Sequence, residues 1–106
     1  MAFKKKLFSA TKNEVYSMQK NEFTDQLFDA ILTLETREEC YDFFNDVCTP
    51  KEIKAMAQRF VVAKMLDDKK VYNEIVEKTG ASTATISRVS RSMDNGIKVV
   101  FERLKK

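Results

Sequence analysis

Hydrophobic residues recur at helical spacing in the first half of this chain. From Asn21 onward, one apolar stripe is spaced by 4, 1, 3 and 3 residues and consists of Phe23, Leu27, Phe28, Ile31 and Leu34. A second stripe consists of Cys40, Phe43, Phe44 and Val47. Residues three or four positions apart share one face of an α-helix, so both stretches predict amphipathic helices.

Two short sequence signals mark where helices begin. Thr36 is followed three residues later by Glu39, and Thr49 is followed by Pro50 and then by Glu52. A threonine before the first helical turn accepts a hydrogen bond from a backbone N–H, and a glutamate three residues on accepts one from the threonine amide. Proline suits the first helical position because it lacks an N–H that would be unpaired there. We therefore predict helices that start after Thr36 and after Thr49.

The helix after Thr49 is apolar around most of its circumference. It is predicted to run from Ile53 to about Leu66, and its apolar members are Ile53, Met56, Ala57, Phe60, Val61, Val62, Ala63, Met65 and Leu66. A helix of this kind is buried on more than one side. In a chain of 106 residues, we expect a second copy to provide part of that burial.

Three further helices are predicted in the last third of the chain. Two short helices, at about 71–79 and 82–92, flank Gly80, and the last carries the apolar residues Ile97, Val100, Phe101 and Leu104. Gly80 and Gly96 are both expected in left-handed backbone conformations at breaks between helices. No stretch alternates as a β-strand does, so the pattern predicts an all-α fold of six helices.

Length and charge divide the chain into parts. We expect a single helical domain over residues 21–106, preceded by a polar segment, residues 1–20, that docks on it or stays flexible. Residues 1–48 carry six Lys or Arg and nine Asp or Glu, a net −3, whereas residues 49–106 carry thirteen and seven, a net +6. A polyanion would be attracted to the second half, although a merely solvated basic face would look the same.

Composition argues against several classes of protein. There is no histidine, and Cys40 and Cys48 are the only cysteines, which argues against a metal site and against catalytic residues. Both cysteines lie on an apolar stripe, so we expect them to be buried and reduced. No apolar run approaches about 18 residues and no signal peptide is evident. We expect a cytoplasmic protein that is not an enzyme, has no cofactor and does not bind membranes.

The helices on either side of Gly80 have the spacing of a helix-turn-helix. The residues expected to form the hydrophobic wedge between them are Ile75, Thr79, Ala81, Ile86 and Val89. Either Ser82 or Thr83 is expected to cap the second helix. Six of the eleven residues from Ser82 to Ser92 are Ser or Thr, which are poor helix formers, so their presence indicates a use for a surface of small polar groups.

That surface fits the major groove of DNA. Small methyl and hydroxyl groups can contact base edges, and arginines about one turn apart can contact phosphates. The predicted DNA-binding residues are Tyr72, Ser82, Thr83, Ala84, Thr85, Ser87, Arg88 and Arg91. Two other interpretations stay open: an ordinary helical hairpin rich in Ser and Thr, and a helical protein-interaction module without specific DNA binding.

The same residues resemble a known family. Thr49-Pro50, Arg59 and the run Gly80-Ala81, Ala84-Thr85-Ile86, Arg88, Ser90 and Ser92 are similar to the Trp repressor superfamily, and more closely to its TrpR-like YerC/YecD group of bacterial regulators. The similarity covers residues 49–104 well and the earlier helices only by pattern. It implies a six-helix Trp-repressor-like bundle that forms an intertwined homodimer. Such a dimer would bind a near-palindromic site on double-stranded DNA as a transcriptional regulator, in this interpretation a repressor.

The resemblance also implies a candidate effector pocket. In tryptophan-binding members the amino acid lies between the central and the recognition helix, and the matching positions here are Thr49, Arg59, Arg88 and Ser92. Those members have a glycine after the recognition-helix arginine, whereas this chain has Val89, whose methyl groups would fill the space of the indole. We therefore expect regulation without tryptophan, with another small effector or none. In that case Arg59 and Arg88 would form structural ion pairs.

Overall fold

The computed structural model describes residues 20–106, which form six α-helices and no β-strand. In chain order these are α1 (Glu22–Ile31), α2 (Arg37–Val47), α3 (Pro50–Asp67), α4 (Tyr72–Thr79), α5 (Thr83–Ser92) and α6 (Asn95–Leu104). The predicted all-α fold of six helices is confirmed for this part of the chain. Of the predicted polar segment, residues 1–19 lie outside the described residues.

The described residues divide between Phe43 and Phe44 into two compact units, residues 20–43 and residues 44–106. Within the described residues, the first unit contains α1 and the first turns of α2, and the second contains the end of α2 and the four remaining helices. The single domain over residues 21–106 stays a prediction.

The first two helices begin at side-chain caps. Oδ1 of Asn21 accepts a hydrogen bond from the Thr24 amide at 3.0 Å, which starts α1. Before α2, the Glu39 amide donates to the Thr36 hydroxyl at 3.1 Å, and Oε1 of Glu39 accepts from the Thr36 amide at 3.2 Å. The capping pair predicted at the start of α2 is therefore confirmed.

Neither α1 nor α2 contains a buried residue, so within the described residues their apolar stripes are at most half-buried. Phe23 and Leu32 are about four-fifths exposed, at 79% and 81%. The expectation that both cysteines are buried is wrong, since Cys40 is exposed and Cys48 is only partly covered. The stripe on α2 is therefore only partly covered, with Phe43 and Phe44 half-buried and Cys40 and Val47 exposed.

The start of α3 has the predicted capping box. Oε1 of Glu52 accepts from the Thr49 amide at 2.8 Å, the Glu52 amide donates to the Thr49 hydroxyl at 3.1 Å, and Pro50 is the first helical residue. Hydrogen bonds from the backbone and then the side chain of Thr49 hold the pKa of the Glu52 carboxyl below its ordinary value. The carboxylate is therefore favoured in the folded chain, where it also lies at the favourable end of the helix dipole.

The core of the second unit lies where α3, α4 and α5 pack against one another. Its buried members come from all four of its complete helices and from the α4–α5 turn: Val62, Ala63, Ile75, Ala81, Ile86, Val89 and Phe101. The Phe60 and Phe101 rings stand 5.6 Å apart at an angle of 57°, a tilted arrangement that aromatic pairs favour. Four of the five predicted wedge residues are buried and Thr79 is half-buried.

Helix α3 is only partly buried within the single chain. Val62 and Ala63 are its buried residues, whereas Met56 and Val61 remain 47% and 38% exposed. This agrees with the expectation that the chain alone does not cover the whole circumference of this helix.

Two left-handed residues end helices, and only one was predicted. Gly80 has φ +73° after the last turn of α4, as expected. Lys69, with φ +65°, follows α3 and was not anticipated. The left-handed conformation predicted for Gly96 is wrong, because Gly96 lies in the first turn of α6. The break there comes from extended backbone at Met93 and Asp94, and the Asp94 side chain accepts from the Asn95 amide at 2.8 Å.

The two glycines therefore predict opposite effects of one substitution. Gly80→Ala should lower the free energy of unfolding by about 1–2 kcal/mol, because a side chain disfavours positive φ. Gly96→Ala should raise it by up to about 1 kcal/mol, because alanine is the better helical residue. In both places an added Cβ meets nothing within 4 Å, so the difference is conformational. Urea unfolding followed by circular dichroism measures it, and shifts of the same sign would contradict it.

Candidate nucleic-acid interface

Helix α5 begins at Ser82, which settles the choice between Ser82 and Thr83 as its cap. Oγ of Ser82 accepts from the Thr85 amide at 3.1 Å and lies 3.1 Å from the Thr85 hydroxyl, to which it donates. The amides of Thr83 and Ala84 come before the first intrahelical hydrogen bond of α5, which the Ile86 amide makes to the Ser82 carbonyl. Those two N–H groups are thus left for an outside acceptor.

The core contacts of α5 decide which side of the helix faces outward. Ile86 and Val89 are buried, with exposed fractions of 0% and 6%. At about 100° per residue, the opposite side of the helix carries Ala84, Ser87, Arg88 and Arg91. Ala84 and both arginines are exposed, and Ser87 is half-buried. The surface opposite the core is therefore made of one methyl group, one hydroxyl and two guanidinium groups.

Neither arginine of α5 is neutralised by a carboxylate. Arg88 and Arg91 are both exposed, and the ion pairs found within residues 20–106 both involve Lys105. The structural ion pairs expected for Arg59 and Arg88 are therefore wrong within this range. Unpaired guanidinium groups keep their full charge and hydrogen-bonding capacity for phosphate oxygens.

Seven of the eight predicted DNA-binding residues belong to one helix and its cap. They are Ser82, Thr83, Ala84, Thr85, Ser87, Arg88 and Arg91. The eighth, Tyr72, is the first residue of α4 and is 38% exposed. It follows Val71, which occupies the N-cap position without a side-chain hydrogen bond.

The four candidate effector residues do not converge within one chain. Thr49 and Arg59 lie ten positions apart on the same helix, about 15 Å along its axis, farther than one amino acid spans. Arg59 and Arg88 are exposed, and the Ser92 hydroxyl donates to the Val89 carbonyl at 3.1 Å. A pocket that uses all four would need a second copy of the chain, and it stays a prediction.

Sequence reasoning missed the contribution of Gln58. Its side-chain amide, Nε2, donates to the carbonyl oxygen of Thr79 at 3.0 Å and so joins α3 to the end of α4. The Thr79 hydroxyl in turn donates to the Ile75 carbonyl at 2.7 Å and accepts from the Ala81 amide at 3.1 Å. The available signal was a polar amide among the apolar residues of α3, but the sequence does not show which group it contacts.

The model of the Trp repressor protein family matches residues 22–105, a range that includes all six helices completely. The chain belongs to the Trp repressor family. It is 56% identical over 72 residues to the uncharacterized protein YerC of Bacillus subtilis (strain 168), a match that covers 68% of this chain and 69% of YerC.

Two solved structures of the Trp repressor family share the fold. A TrpR-like protein from Eubacterium eligens ATCC 27750 is 56% identical, with a TM-score of 0.78 over 81% of this chain and 92% of that one. A second TrpR-like protein, from Staphylococcus aureus, is 44% identical, with a TM-score of 0.79 over 91% of this chain and 96% of that one. The predicted Trp-repressor-like bundle is confirmed.

Family membership suggests a helix-turn-helix DNA-binding regulator and argues against an enzyme. Among residues 20–106, no helix has the length and apolar character needed to span a membrane. Over the same residues, no group of three or more His, Cys, Asp or Glu side chains could hold a metal ion.

Proposed function

We propose that this protein is a cytoplasmic transcriptional regulator, a repressor, that binds double-stranded DNA in a sequence-specific manner as a homodimer. In this proposal α4 and α5 form a helix-turn-helix, and α5 enters the major groove. The observation that carries the proposal is the outer surface of α5, opposite its buried face. It carries small hydroxyl and methyl groups and two arginines that form no ion pair.

Each part of that surface has a partner on duplex DNA. The methyl groups of Ala84 and the threonines suit the thymine methyl, and hydroxyl groups can contact bases directly or through water. The free amides at the start of α5 suit a phosphate, which the positive end of the helix dipole also favours. Arg88 and Arg91 supply charge for the backbone, which fixes the position of a protein on DNA without reading its sequence.

The uncovered apolar surface supports a homodimer. Large apolar side chains stay exposed in the single chain on α1, α2 and α6 and directly after α1, among them Phe23 at 79%, Leu32 at 81%, Tyr41 at 71% and Leu104 at 61%. Apolar surface on this scale usually marks an interface. Two copies would present two α5 helices, and a two-fold dimer binds half-sites about one helical turn apart on a near-palindrome.

Tryptophan has no place in the proposed mechanism. Val89 is 6% exposed and packs into the core where α5 meets α3, so its methyl groups occupy space that a glycine would leave open. We propose regulation without tryptophan and without a cofactor.

DNA binding is tested first by its dependence on salt. We expect the affinity for random duplex DNA to fall steeply between low and moderate salt, because bound Lys and Arg release counterions from the phosphates. Fluorescence anisotropy at several salt concentrations gives the log–log slope. A slope near zero would favour a protein-interaction module over a DNA-binding regulator. Selection from random DNA then identifies the preferred site.

The roles of individual α5 residues form a second prediction. Thr83→Ala or Thr85→Ala should cost about 1–3 kcal/mol on the selected site and relax preference at one base step. Arg91→Ala should weaken binding to all sequences alike and reduce the salt slope by roughly one per chain. Arg103→Ala removes the same charge from an exposed position on α6, so it is the matched control and should change neither the affinity nor the salt slope. Loss of base preference in Arg91→Ala would contradict the assignment.

Isothermal titration tests the proposed independence from tryptophan. The wild-type chain should give no binding heat, because Val89 fills the space between α3 and α5. Val89→Gly removes those methyl groups and should gain affinity, provided that circular dichroism shows the variant to be folded. Binding of tryptophan to the wild-type chain in the micromolar range would refute this part of the proposal.

A further inference from the structure

The turn that precedes α5 is tied to α3 by one side-chain hydrogen bond. Nε2 of Gln58 donates to the carbonyl oxygen of Thr79 at 3.0 Å, across 21 positions of sequence. Between residues of the range 20–106, every other side-chain hydrogen bond joins positions no more than four apart. Within this range, Gln58 therefore makes the one side-chain hydrogen bond between α3 and the α4–α5 pair.

The atom that Gln58 holds belongs to a turn whose other polar groups are also fixed. Thr79 is the last residue of α4, and its carbonyl is one of the four that a helix end leaves without an intrahelical partner. The Thr79 hydroxyl bridges the Ile75 carbonyl and the Ala81 amide, at 2.7 and 3.1 Å. The Gly80 amide donates to the Val76 carbonyl at 2.8 Å. Through this turn, the bond from Gln58 acts on the starting point of α5.

Apolar packing alone leaves the direction of α5 loosely defined. Ala81 in the turn and Ile86 and Val89 on the inner face of the helix pack against the core, but hydrophobic burial has no preferred direction. About 10 Å of helix separates Val89 from Ser82, so a tilt of about 10° around Val89 would move Ser82 by roughly 2 Å. That displacement exceeds the range over which a hydrogen bond to a base survives. The hydrogen bond from Gln58 to Thr79 adds a directional constraint to this packing, next to the end of α5 that is proposed to read bases.

We propose that Gln58 is a positioning residue, whose hydrogen bond to Thr79 sets the orientation of α5 for reading bases without any bound effector. The inference rests on the proposed DNA-binding function and adds to it a built-in device for specificity. Gln58 is half-buried on α3 and acts through Thr79 rather than by touching DNA. Its loss should therefore affect sequence discrimination and spare the electrostatic part of binding.

The test compares two affinities in the same variant. Gln58→Met keeps the length of the side chain and removes the donor. Its affinity for the DNA site selected with the wild-type chain should fall about 10- to 100-fold, the equivalent of one or two base contacts. Its affinity for an unrelated duplex and its salt slope should stay at the wild-type values, because these depend on Lys and Arg contacts to phosphate.

Two further variants separate positioning from general destabilisation. Phe101→Leu weakens the same core from α6 without touching the Gln58–Thr79 bond, and at a temperature where it is fully folded its ratio of specific to unrelated affinity should match the wild type. Gln58→Glu keeps the shape of the side chain but sets an acceptor against the Thr79 carbonyl, so it should lose specificity at least as strongly as Gln58→Met. If Gln58→Met does not fold, Gln58→Glu takes its place in the comparison.

The possible outcomes separate the inference from the function on which it rests. If the wild-type chain binds DNA and both Gln58 variants keep its ratio of specific to unrelated affinity, the positioning role is refuted and the function stands. If Phe101→Leu lowers the ratio of specific to unrelated affinity as much as Gln58→Met does, general destabilisation explains the effect and the inference is also refuted. If the wild-type chain shows no salt-dependent DNA binding, the proposed function fails and the inference fails with it.

Discussion

Burial of three aliphatic side chains, Ile75, Ile86 and Val62, holds the second unit together. All three are fully buried, and each contributes about 1.5–3 kcal/mol relative to an exposed side chain. Because they come from α4, α5 and α3, removing any one would loosen the contact among all three helices. The inner face of α5 is buried in this contact with α3 and α4. The outer face is therefore free to carry small polar side chains that would contribute little to a core.

The fold and the proposed interface also share residues outside the core. Ser82 ends the turn, caps α5 and donates to the Thr85 hydroxyl, so a residue expected to meet DNA is also part of the helix start. Gly80 supplies the left-handed turn that Thr79 and Gln58 then hold in place. Stability and recognition are thus joined in the few residues around this turn, where a change made for one purpose also affects the other.

Local chemistry explains which features could be predicted from sequence. The capping pairs at Thr36 and Thr49 were predictable because both partners lie within three residues of each other. Gly96 was not, since glycine permits a left-handed conformation without requiring it, and the Asp94 cap started α6 instead.

Features that depend on residues far apart in the sequence could not be predicted from it. The prediction that Cys40 is buried was wrong, because an amphipathic pattern shows which face of a helix is apolar but not what covers that face. The hydrogen bond from Gln58 to Thr79 joins residues that only the folded chain brings together.

The charge distribution has a practical consequence for how this protein responds to its ionic surroundings. Within residues 20–106 the ion pairs are two contacts of Lys105, with its partners Asp67 and Glu102 each 3.9 Å away, and Lys105 itself is largely exposed. Exposed pairs of this kind contribute little to stability and are screened by salt. Ionic strength should therefore leave the helices of this region almost untouched while it changes the strength of the proposed binding to DNA. In a cell, a change in potassium concentration would then alter occupancy of the proposed DNA site without altering the amount of folded protein.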